Sequence, residues 1–495
     1  MKYQKYIIIF RNKFLHLCLI IFLLASNSCS DFLEVNPVED ISIKEQLSNK
    51  TDLLEALNGS YYQFRELYAT ESFYLYGDYQ AGNISFTPYA LGTNKGIVDV
   101  GKFDNVYNFD DLKTESKFSS FYANAYSLIN SVNLILEFVD ALPDATEDEK
   151  DQIKAECLSL RAITHFHLAR LYSQNYTYTS DASHLGIVYN TKRLKVGYDY
   201  PARLSCKETF ALILEDLNTA LGLFKTNQAL SSGKSYTYFN KISTKTLLAD
   251  VYLWMNNWQK AYELSDDIIK NSGISLTSKA NYVTEWKSDN SLSESIFVFP
   301  LRSGDDKSAY DGYMGYTNAS TYSSYAISGD ILTQFDATDI RKKDLTFTQN
   351  LQVKNGAVYV ATPYAFSYKF SGLPEGFLYR MSEVYLIRAE AAARVNNFSQ
   401  AQNDLNTIRS RSDITPILTS TNWVEDILTE KRKEFVFENK TFYDMARTHK
   451  NVSRNLGCTG IGTMCSLTYP NNKYILPIPQ NSIDVNVNMK QNDGY

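Results

Sequence analysis

The chain has 495 residues, of which 44% are hydrophobic and 14% aromatic, and its 49 Lys and Arg against 55 Asp and Glu give a formal charge of −6 at pH 7. This length and composition predict a large buried core, in one large or two joined domains, and exclude a disordered chain. The acidic balance offers no basic surface for nucleic acid or anionic lipid, and six cysteines are too few for a disulfide scaffold.

The N-terminus has the layout of a secretory signal peptide. Residues 1–28 contain four basic and no acidic residues, and the apolar run Leu19–Ala25 is too short for a stable transmembrane helix. Small and polar residues then lead directly to Cys29. We therefore predict a lipoprotein signal peptide over residues 1–28 and export of the mature chain.

Cys29 stands where cleavage is expected, so we interpret it as the acceptor of a lipid anchor such as palmitate. The alternative is that Cys29 is incidental and that cleavage nearby releases the protein. Ser26 departs from the Leu usual three positions before such a cysteine. Cys18 is a poorer candidate, because it stands at the start of the apolar run, too near the basic region to leave a full apolar segment before it.

The mature chain is predicted to be mainly helical. Apolar residues at spacings of three and four, typical of a helix with one buried face, recur in several segments. These segments begin at Leu53 and run over Ala123–Phe138, Ile153–Tyr172 and Phe210–Leu223. Cys157 falls within one of these patterns and is predicted to lie in the core.

Two distant segments repeat each other. Residues 247–261 match residues 387–401, with a small residue at Ala249 and Ala389 and an Asn-Asn pair before an aromatic residue. Small residues let antiparallel helices approach closely, and we expect the aromatic residue, Trp258 or Phe398, to fill the corner between them. This pattern is typical of tetratricopeptide helical hairpins.

Between the repeats lies an interval of about a hundred residues, 276–378, that is rich in Ser, Gly, Asn and Tyr. It contains a short strand-like piece at Ser295–Leu301. We predict a loop-rich insertion, because a long irregular segment in a compact domain is usually functional. The predicted organisation is a helical N-terminal region over 29–275 and a C-terminal region over 276–495, with a returning helical hairpin at 380–412.

Several segments resemble the SusD/RagB family, the surface lipoproteins of Bacteroidetes that bind nutrients beside a TonB-dependent transporter. Each match is weak alone, but their order and spread favour membership. They are Cys29–Pro37, Arg161–Tyr172, Arg380–Ala391, Glu430–Glu438 with Phe442–Asp444, Tyr474–Gln480 and Gln491–Tyr495.

The resemblance implies a SusD-like fold of tetratricopeptide-type hairpins with a less regular C-terminal subdomain. It also implies a protein held by lipid in the outer membrane and exposed at the cell surface, with a glycan ligand and a SusC-like transporter as partners. The shared motifs are structural and transfer no site residue. Glu430, Glu434 and Glu438 lie at four-residue spacing, and we expect them to pair with Arg or Lys.

No enzyme is predicted. His165 and His167 point to nearly opposite sides of a helix, which excludes a local two-histidine metal site between them, and nucleophile-elbow and phosphate-loop motifs are missing. Carboxylates such as Asp305, Asp306 and Asp330 could still meet in space, but a solvated loop is the simpler interpretation. We expect neither a metal nor a cofactor, although the sequence leaves a bound calcium ion open.

The composition favours glycan binding. Sugars place C–H patches on aromatic faces and need amide or carboxylate partners for their hydroxyls. Two segments, residues 73–89 and residues 305–325, contain both aromatic side chains and amide or carboxylate groups. They are rich in Tyr, of which the chain has 37. The candidate ligand-binding residues are Tyr74, Tyr76, Tyr79, Asn83, Trp286, Asp306, Tyr310, Tyr313 and Tyr316.

Cys458 and Cys465 are candidates for a local disulfide. They bracket a glycine-bearing loop, and such a bond is expected in an oxidising compartment.

The leading hypothesis for function is a non-catalytic lipoprotein that captures a nutrient glycan and delivers it to its transporter. One alternative is a SusD-like binder of peptides or another nutrient, since a fold does not determine its ligand. The other is a helical-repeat scaffold for protein partners.

Overall fold

A computed structural model of the chain describes residues 43–88, 96–100, 104–195, 197–225, 230–231, 233–288, 291–299, 324–370, 376–458 and 461–495. Residues 48–495 form one compact unit. Residues 1–47 form another, whose described part contains helix α1 (Ile43–Gln46). Across the described ranges, no helix is both long and apolar enough to cross a bilayer.

The first half of the large unit is helical, as predicted. Its helices are α2 (Lys50–Tyr68), α3 (Glu71–Tyr74), α4 (Tyr76–Ala81), α5 (Asp104–Tyr107), α6 (Ser119–Phe138), α7 (Glu147–Tyr172), α8 (Cys206–Leu223), α9 (Lys241–Trp254) and α10 (Trp258–Asn271). The apolar patterns of the sequence lie in α2, α6, α7 and α8. Helix α7 begins with a capping box in which Thr146 and Glu149 satisfy each other's backbone N–H groups. It is the most deeply buried of these helices, and Cys157 lies in its core face.

The second half adds helices α11 (Lys279–Trp286), α12 (Gly329–Leu332), α13 (Ile340–Lys343), α14 (Met381–Arg394), α15 (Phe398–Arg411), α16 (Trp423–Glu434), α17 (Thr441–Arg447), α18 (Asn455–Cys458) and α19 (Gln480–Asp484). Short 3-10 turns occur at Val139–Ala141, Ser235–Thr237 and Asn472–Tyr474. The mainly helical architecture expected from the sequence is thereby confirmed.

The repeated segments form the helical hairpins α9–α10 and α14–α15. In each turn the first Asn has a positive φ, 59° at Asn256 and 63° at Asn396, and the second caps the following helix. Ala249 and Ala261 of the first hairpin share a core cluster with Ile387 of the second. The small residues therefore permit close helix packing, as predicted.

The expectation for the aromatic residue of the repeat holds for Trp258 and is wrong for Phe398. Trp258 is half-buried and packs against the core cluster that contains Ala249 and Ala261, with the guanidinium of Arg394 over its ring. Phe398 is 47% exposed.

The strands are β1 (Ile84–Phe86), β2 (Ser295–Phe299), β3 (Tyr325–Ile327), β4 (Thr346–Asn355), β5 (Val358–Ser367), β6 (Gly376–Arg380), β7 (Val452–Ser453) and β8 (Ser466–Leu467). Antiparallel pairing builds one four-stranded sheet in the order β1-β3-β5-β4 and two two-stranded sheets, β2 with β6 and β7 with β8. The strand predicted at Ser295–Leu301 corresponds to β2.

The interval 276–378 is more regular than predicted in the residues that the structure describes. It contains four strands, including the ten-residue strands β4 and β5, which form a hairpin with Asn355 opposite Val358. The two loop residues are Gly356 and Ala357, and Gly356 takes a φ of 62° at the first loop position, where a type II′ hairpin turn places glycine. Ser, Thr and Tyr in these strands reflect their exposed positions rather than an irregular chain.

A buried cluster of charged side chains connects α16 to the residues just before β4 and just after β5. Arg341 of α13 donates to Glu430 at 2.5 Å and to Glu434 at 2.9 Å, and Lys369 donates to Glu438 at 2.7 Å. The predicted pairing of the three glutamates with Arg and Lys is therefore present. Helix α16 ends at Glu434, so Glu438 joins the cluster from the following turn rather than from the helix face.

Candidate functional site

The two tyrosine-rich segments of the sequence approach each other at the pair of strands β1 and β3. Phe86 lies opposite Tyr325 in the antiparallel register, and the backbone N–H of Thr87 donates to the carbonyl of Ser324 at 3.0 Å. The chain that leaves β1 and the chain that enters β3 therefore start from neighbouring positions. The sequence reveals both segments, but not that they are neighbours, because more than two hundred residues separate them.

A surface groove of about 410 Å³ opens beside this strand pair. Its described lining carries no charged side chain and combines apolar groups with hydroxyls. Those residues are Ser85, Phe86, Val98, Ile327, Gly329, Leu332, Thr362, Pro363, Tyr364, Ala365, Leu456 and Ile461. We call this feature the sheet groove. An uncharged lining with hydroxyl groups suits a neutral, polyhydroxylated ligand.

One wall of the sheet groove comes from α18, near the C-terminus. Leu456 is 64% exposed, and its backbone N–H donates to both carboxylate oxygens of Asp330 at 3.1 Å, which fastens α18 to α12. Cys458 and Cys465 are joined by a disulfide whose loop contributes Ile461 to the lining. The expected disulfide thus stands next to the groove, a position that its sequence spacing alone does not reveal.

Tyr74, Tyr76 and Tyr79 lie in the core and offer no surface to a ligand, so the sequence-based expectation of contact is corrected. Each is at most 2% exposed. The ring of Tyr76 lies 5.5 Å from that of Phe442, and the ring of Tyr74 lies 6.0 Å from that of Phe299. Burial raises the pKa of both hydroxyls well above the ordinary value. These rings join the first aromatic segment to the C-terminal region.

Asn83 is also fully buried and holds the start of β1 in place. Its amide donates to Asp78 at 2.8 Å and to Thr441 at 2.9 Å, and its carbonyl oxygen accepts from Nε of Arg432 at 2.7 Å. All of its polar atoms face protein partners, which excludes the contact with a ligand that the sequence suggested. Asn83 positions the strand at the groove instead.

Trp286 is 2% exposed and is likewise removed from the candidate ligand contacts. Its ring packs 5.0 Å from Phe370 and 5.3 Å from Phe377, with Lys369 4.8 Å from the ring centroid. The sequence alone does not determine whether the ring of Trp286 in α11 faces solvent or the core. In the fold, Phe377 of β6 and Phe370 cover this ring.

The other candidate residues, Cys29, Asp306, Tyr310, Tyr313 and Tyr316, lie outside the described residues. Tyr325, at the end of the same segment, is buried in β3. Within the described ranges, no group of three His, Cys, Asp or Glu side chains is arranged to hold a metal ion. Both His165 and His167 are buried, and burial lowers the pKa of each well below the ordinary value.

Sequence reasoning missed the groove residues Ser85, Thr362, Tyr364 and Leu456. The β-branched and aromatic residues of β5 were a usable signal for a strand, although they do not indicate which of its residues line a groove. No local pattern marks Leu456, because its exposure results from the packing of α18 on α12.

Two family profiles match almost the whole chain in succession. The profile described as "SusD family" matches residues 283–495, and the profile described as "Starch-binding associating with outer membrane" matches residues 31–253. The chain belongs to the SusD/RagB family. The sequence-based resemblance is confirmed.

Relatives within the SusD/RagB family extend over nearly all of the chain. "SusD-like protein P2" of Formosa agariphila is 26% identical over 96% of this chain and 98% of its own. A crystal structure of a SusD superfamily protein from Bacteroides thetaiotaomicron superposes with a TM-score of 0.75 at 27% identity, covering 89% of this chain and 99% of that one.

A shorter stretch is similar to "Starch-binding protein SusD" of Bacteroides thetaiotaomicron, with 36% identity over 24% of this chain and 21% of that protein. A "SusD-like carbohydrate binding protein" from Bacteroides vulgatus has the same fold, with a TM-score of 0.74 at 21% identity over 89% of this chain and 97% of that one.

Proposed function

We propose that this SusD/RagB protein is a non-catalytic glycan-binding lipoprotein of the outer membrane that delivers its ligand to a SusC-like, TonB-dependent transporter. The observation that carries the binding proposal is the uncharged sheet groove beside the paired strands β1 and β3. The starch-binding description of the N-terminal family profile supports a glycan as the ligand class.

The chemistry of the groove fits this proposal. Apolar side chains of Leu332, Pro363 and Leu456 offer surface for the C–H patches of a sugar ring, while Ser85, Thr362 and Tyr364 supply hydroxyls for its polar edge. Tyr364 is half-buried, and this burial raises the pKa of its hydroxyl, which stays a neutral hydrogen-bond donor and acceptor.

Residues 300–323 directly precede Ser324 in the chain and carry the remaining candidate contacts, Asp306, Tyr310, Tyr313 and Tyr316. We propose that these tyrosines form the aromatic surface on which the sugar rings lie. The described groove supplies the fixed part of the site, because strands and short helices hold its walls.

Replacing Tyr310, Tyr313 and Tyr316 together by Ala is expected to weaken binding of the preferred glycan about 100-fold, since each lost ring contact contributes about 1 kcal/mol. Calorimetric titration against a panel of polysaccharides identifies the ligand and then compares the variant. Thr362→Trp, which fills the groove from β5, should weaken binding independently.

The matched control replaces Tyr178, Tyr198 and Tyr200, three exposed tyrosines elsewhere on the surface, by Ala. Its affinity should stay within about twofold of the unmodified chain. Equal affinities of the two triple variants would contradict the proposed aromatic surface. If the unmodified chain bound no polysaccharide of the panel, the glycan proposal itself would be contradicted.

Cys29→Ser is expected to abolish lipid attachment and to move the protein from the outer-membrane fraction to the soluble fraction. Metabolic labelling with palmitate followed by membrane fractionation measures both effects. Cys18→Ser is the control and should leave labelling unchanged, since Cys18 stands at the start of the apolar run of the signal peptide. Labelling that survives Cys29→Ser would refute this anchor.

A further inference from the structure

A second cleft, of about 470 Å³, lies between α16 and α17. We call it the Arg432 cleft; the residues that matter for its charge are Glu425, Thr429, Arg432, Asp444 and Lys450. Gln334 also lines it and follows Leu332, a residue of the sheet groove, by two positions. The Cα atoms of Leu332 and Gln334 are therefore at most about 7 Å apart, so the sheet groove and the Arg432 cleft are neighbours at this point.

The carboxylates on the wall of the Arg432 cleft already have cationic partners. Asp444 accepts from Lys431 at 3.0 Å and from Nε of Arg447 at 2.8 Å. Burial alone would raise the pKa of Asp444, but the two cations outweigh it and lower that pKa to about 2. Glu425 is paired with Lys450. These cationic partners weaken the repulsion that Asp444 and Glu425 would exert on an anionic ligand.

Arg432 differs from these paired residues. Its Nε donates to the amide oxygen of Asn83 at 2.7 Å, and its Nη2 donates to the backbone carbonyl of Ala81 at 3.1 Å, so both acceptors are neutral. Among the residues that the structure describes, no carboxylate lies within ion-pair distance of its guanidinium, and the carboxylates that act on it, Asp330 and Asp78, do so from farther away. Nη1 takes part in neither bond.

Asp330 and Asp78 attract the guanidinium of Arg432 only from beyond ion-pair distance, so a largely buried group whose hydrogen-bond partners are neutral keeps part of its positive charge available to an anion. Its planar donors match the oxygen geometry of a carboxylate or a sulfate. The two bonds to Asn83 and Ala81 also fix the side chain in advance, so a ligand would not have to order it.

We propose that the Arg432 cleft binds an anionic group, a uronate carboxylate or a sulfate ester, of the glycan that occupies the sheet groove. This inference rests on the proposed function and names its ligand class as an acidic glycan. The uncharged groove takes a neutral sugar unit, and the neighbouring cleft takes an acidic one.

The test is calorimetric titration of the full-length chain with three probes: oligogalacturonate for the carboxylate, sulfated carrageenan oligosaccharide for the sulfate, and maltooligosaccharide as a neutral glycan. At least one acidic probe should bind about tenfold or more tightly than the neutral one, because a hydrogen bond to a charged group contributes about 1.5–3 kcal/mol. Which acidic probe binds distinguishes the two sources of charge.

Arg432→Gln should remove this preference, but it also loses bonds to Asn83 and Ala81 and could affect folding. Thr429→Glu avoids that problem by placing a negative charge on the half-buried wall of the cleft, and it should weaken acidic binding about tenfold or more. The matched controls are Thr421→Glu and Arg394→Gln at exposed positions outside the cleft lining, and each should stay within about twofold.

Neutral binding with no gain for either acidic probe would overturn this inference and leave the proposed function standing. Acidic binding that Thr429→Glu does not change would also overturn it. Failure of all three probes to bind would overturn this inference and count against the proposed function as well.

Discussion

Arg380→Met is expected to lower the free energy of unfolding by about 3–5 kcal/mol, the usual effect of removing one partner from a buried ion cluster. The side chain of Arg380 is 1% exposed and donates to Glu434 at 2.7 Å, to Glu294 at 2.6 Å and to both oxygens of Glu438. Methionine fills much of the same volume but leaves these acceptors with fewer donors. Denaturant unfolding at pH 7 measures the loss.

The charges in this cluster depend on pH in a defined direction. Burial alone would raise the pKa of Glu434, but Arg411, Arg380 and Arg341 hold that pKa well below its ordinary value. A carboxyl whose folded pKa is lowered contributes its stability above its unfolded pKa of about 4.3, and loses it as pH falls further. The cluster is therefore fully effective at pH 7.

Lys260→Met provides the control, since Lys260 and Glu263 form an ion pair whose side chains are 54% and 47% exposed. Solvent screens such a pair, so the substitution should leave the free energy of unfolding nearly unchanged. Equal effects of Arg380→Met and Lys260→Met would show that the buried cluster contributes no more to stability than a surface pair.

Asp78→Ala is expected to destabilise the protein by about 3 kcal/mol near pH 4.5, because it leaves three buried donors without their acceptor. The carboxyl group of Asp78 accepts from the backbone N–H groups of Phe437 at 3.1 Å and Asn439 at 2.9 Å, and from the amide of Asn83 at 2.8 Å. These bonds connect α4 and β1 to the turn between α16 and α17.

The effect of this substitution should become smaller as pH rises. Burial raises the pKa of Asp78 to about 6, despite the hydrogen bonds that lower it. A carboxyl with a raised folded pKa stabilises most when protonated, and its contribution declines between its unfolded pKa, about 3.9, and pH 6. Unfolding of both chains at pH 4.5 and 7 measures this difference.

Asp110→Ala is the matched control, because the side chain of Asp110 is 71% exposed and lies 3.5 Å from Lys473. It should change the free energy of unfolding by no more than about 0.5 kcal/mol at either pH. A loss of stability for Asp78→Ala that grows from pH 4.5 to 7 would contradict the expected pH dependence.

Arg380 and Asp78 belong to two sets of contacts that fix the walls of the sheet groove. Arg341 and Lys369 stand at the two ends of the β4–β5 hairpin, and the ion cluster ties them to α16. Asp78 and Asn83 set the position of β1. A binding surface made from short strands and loops needs this support, since its own elements bury little apolar area.

Local patterns were sufficient for the helices and for the family. The spacing of apolar residues predicted α2, α6, α7 and α8, because one buried face imposes a period of 3.6 residues. The repeated hairpins followed from small residues and Asn-Asn turns, whose steric requirements are local. The N-terminal segment likewise predicted export and an anchor at Cys29 from a pattern within thirty residues.

The exposure of the aromatic residues could not be predicted in the same way. Tyr74, Tyr76, Tyr79 and Trp286 satisfy the composition of a sugar-binding segment equally well, yet all are buried, because packing between elements distant in the chain determines exposure. The same reason applies to the sheet groove, where β1 meets β3, and to Arg432, whose hydrogen-bond partners Asn83 and Ala81 lie 349 and 351 residues away in the chain. Short-range residue patterns thus established the family and the helical scaffold, whereas long-range packing determined where a ligand can reach the protein.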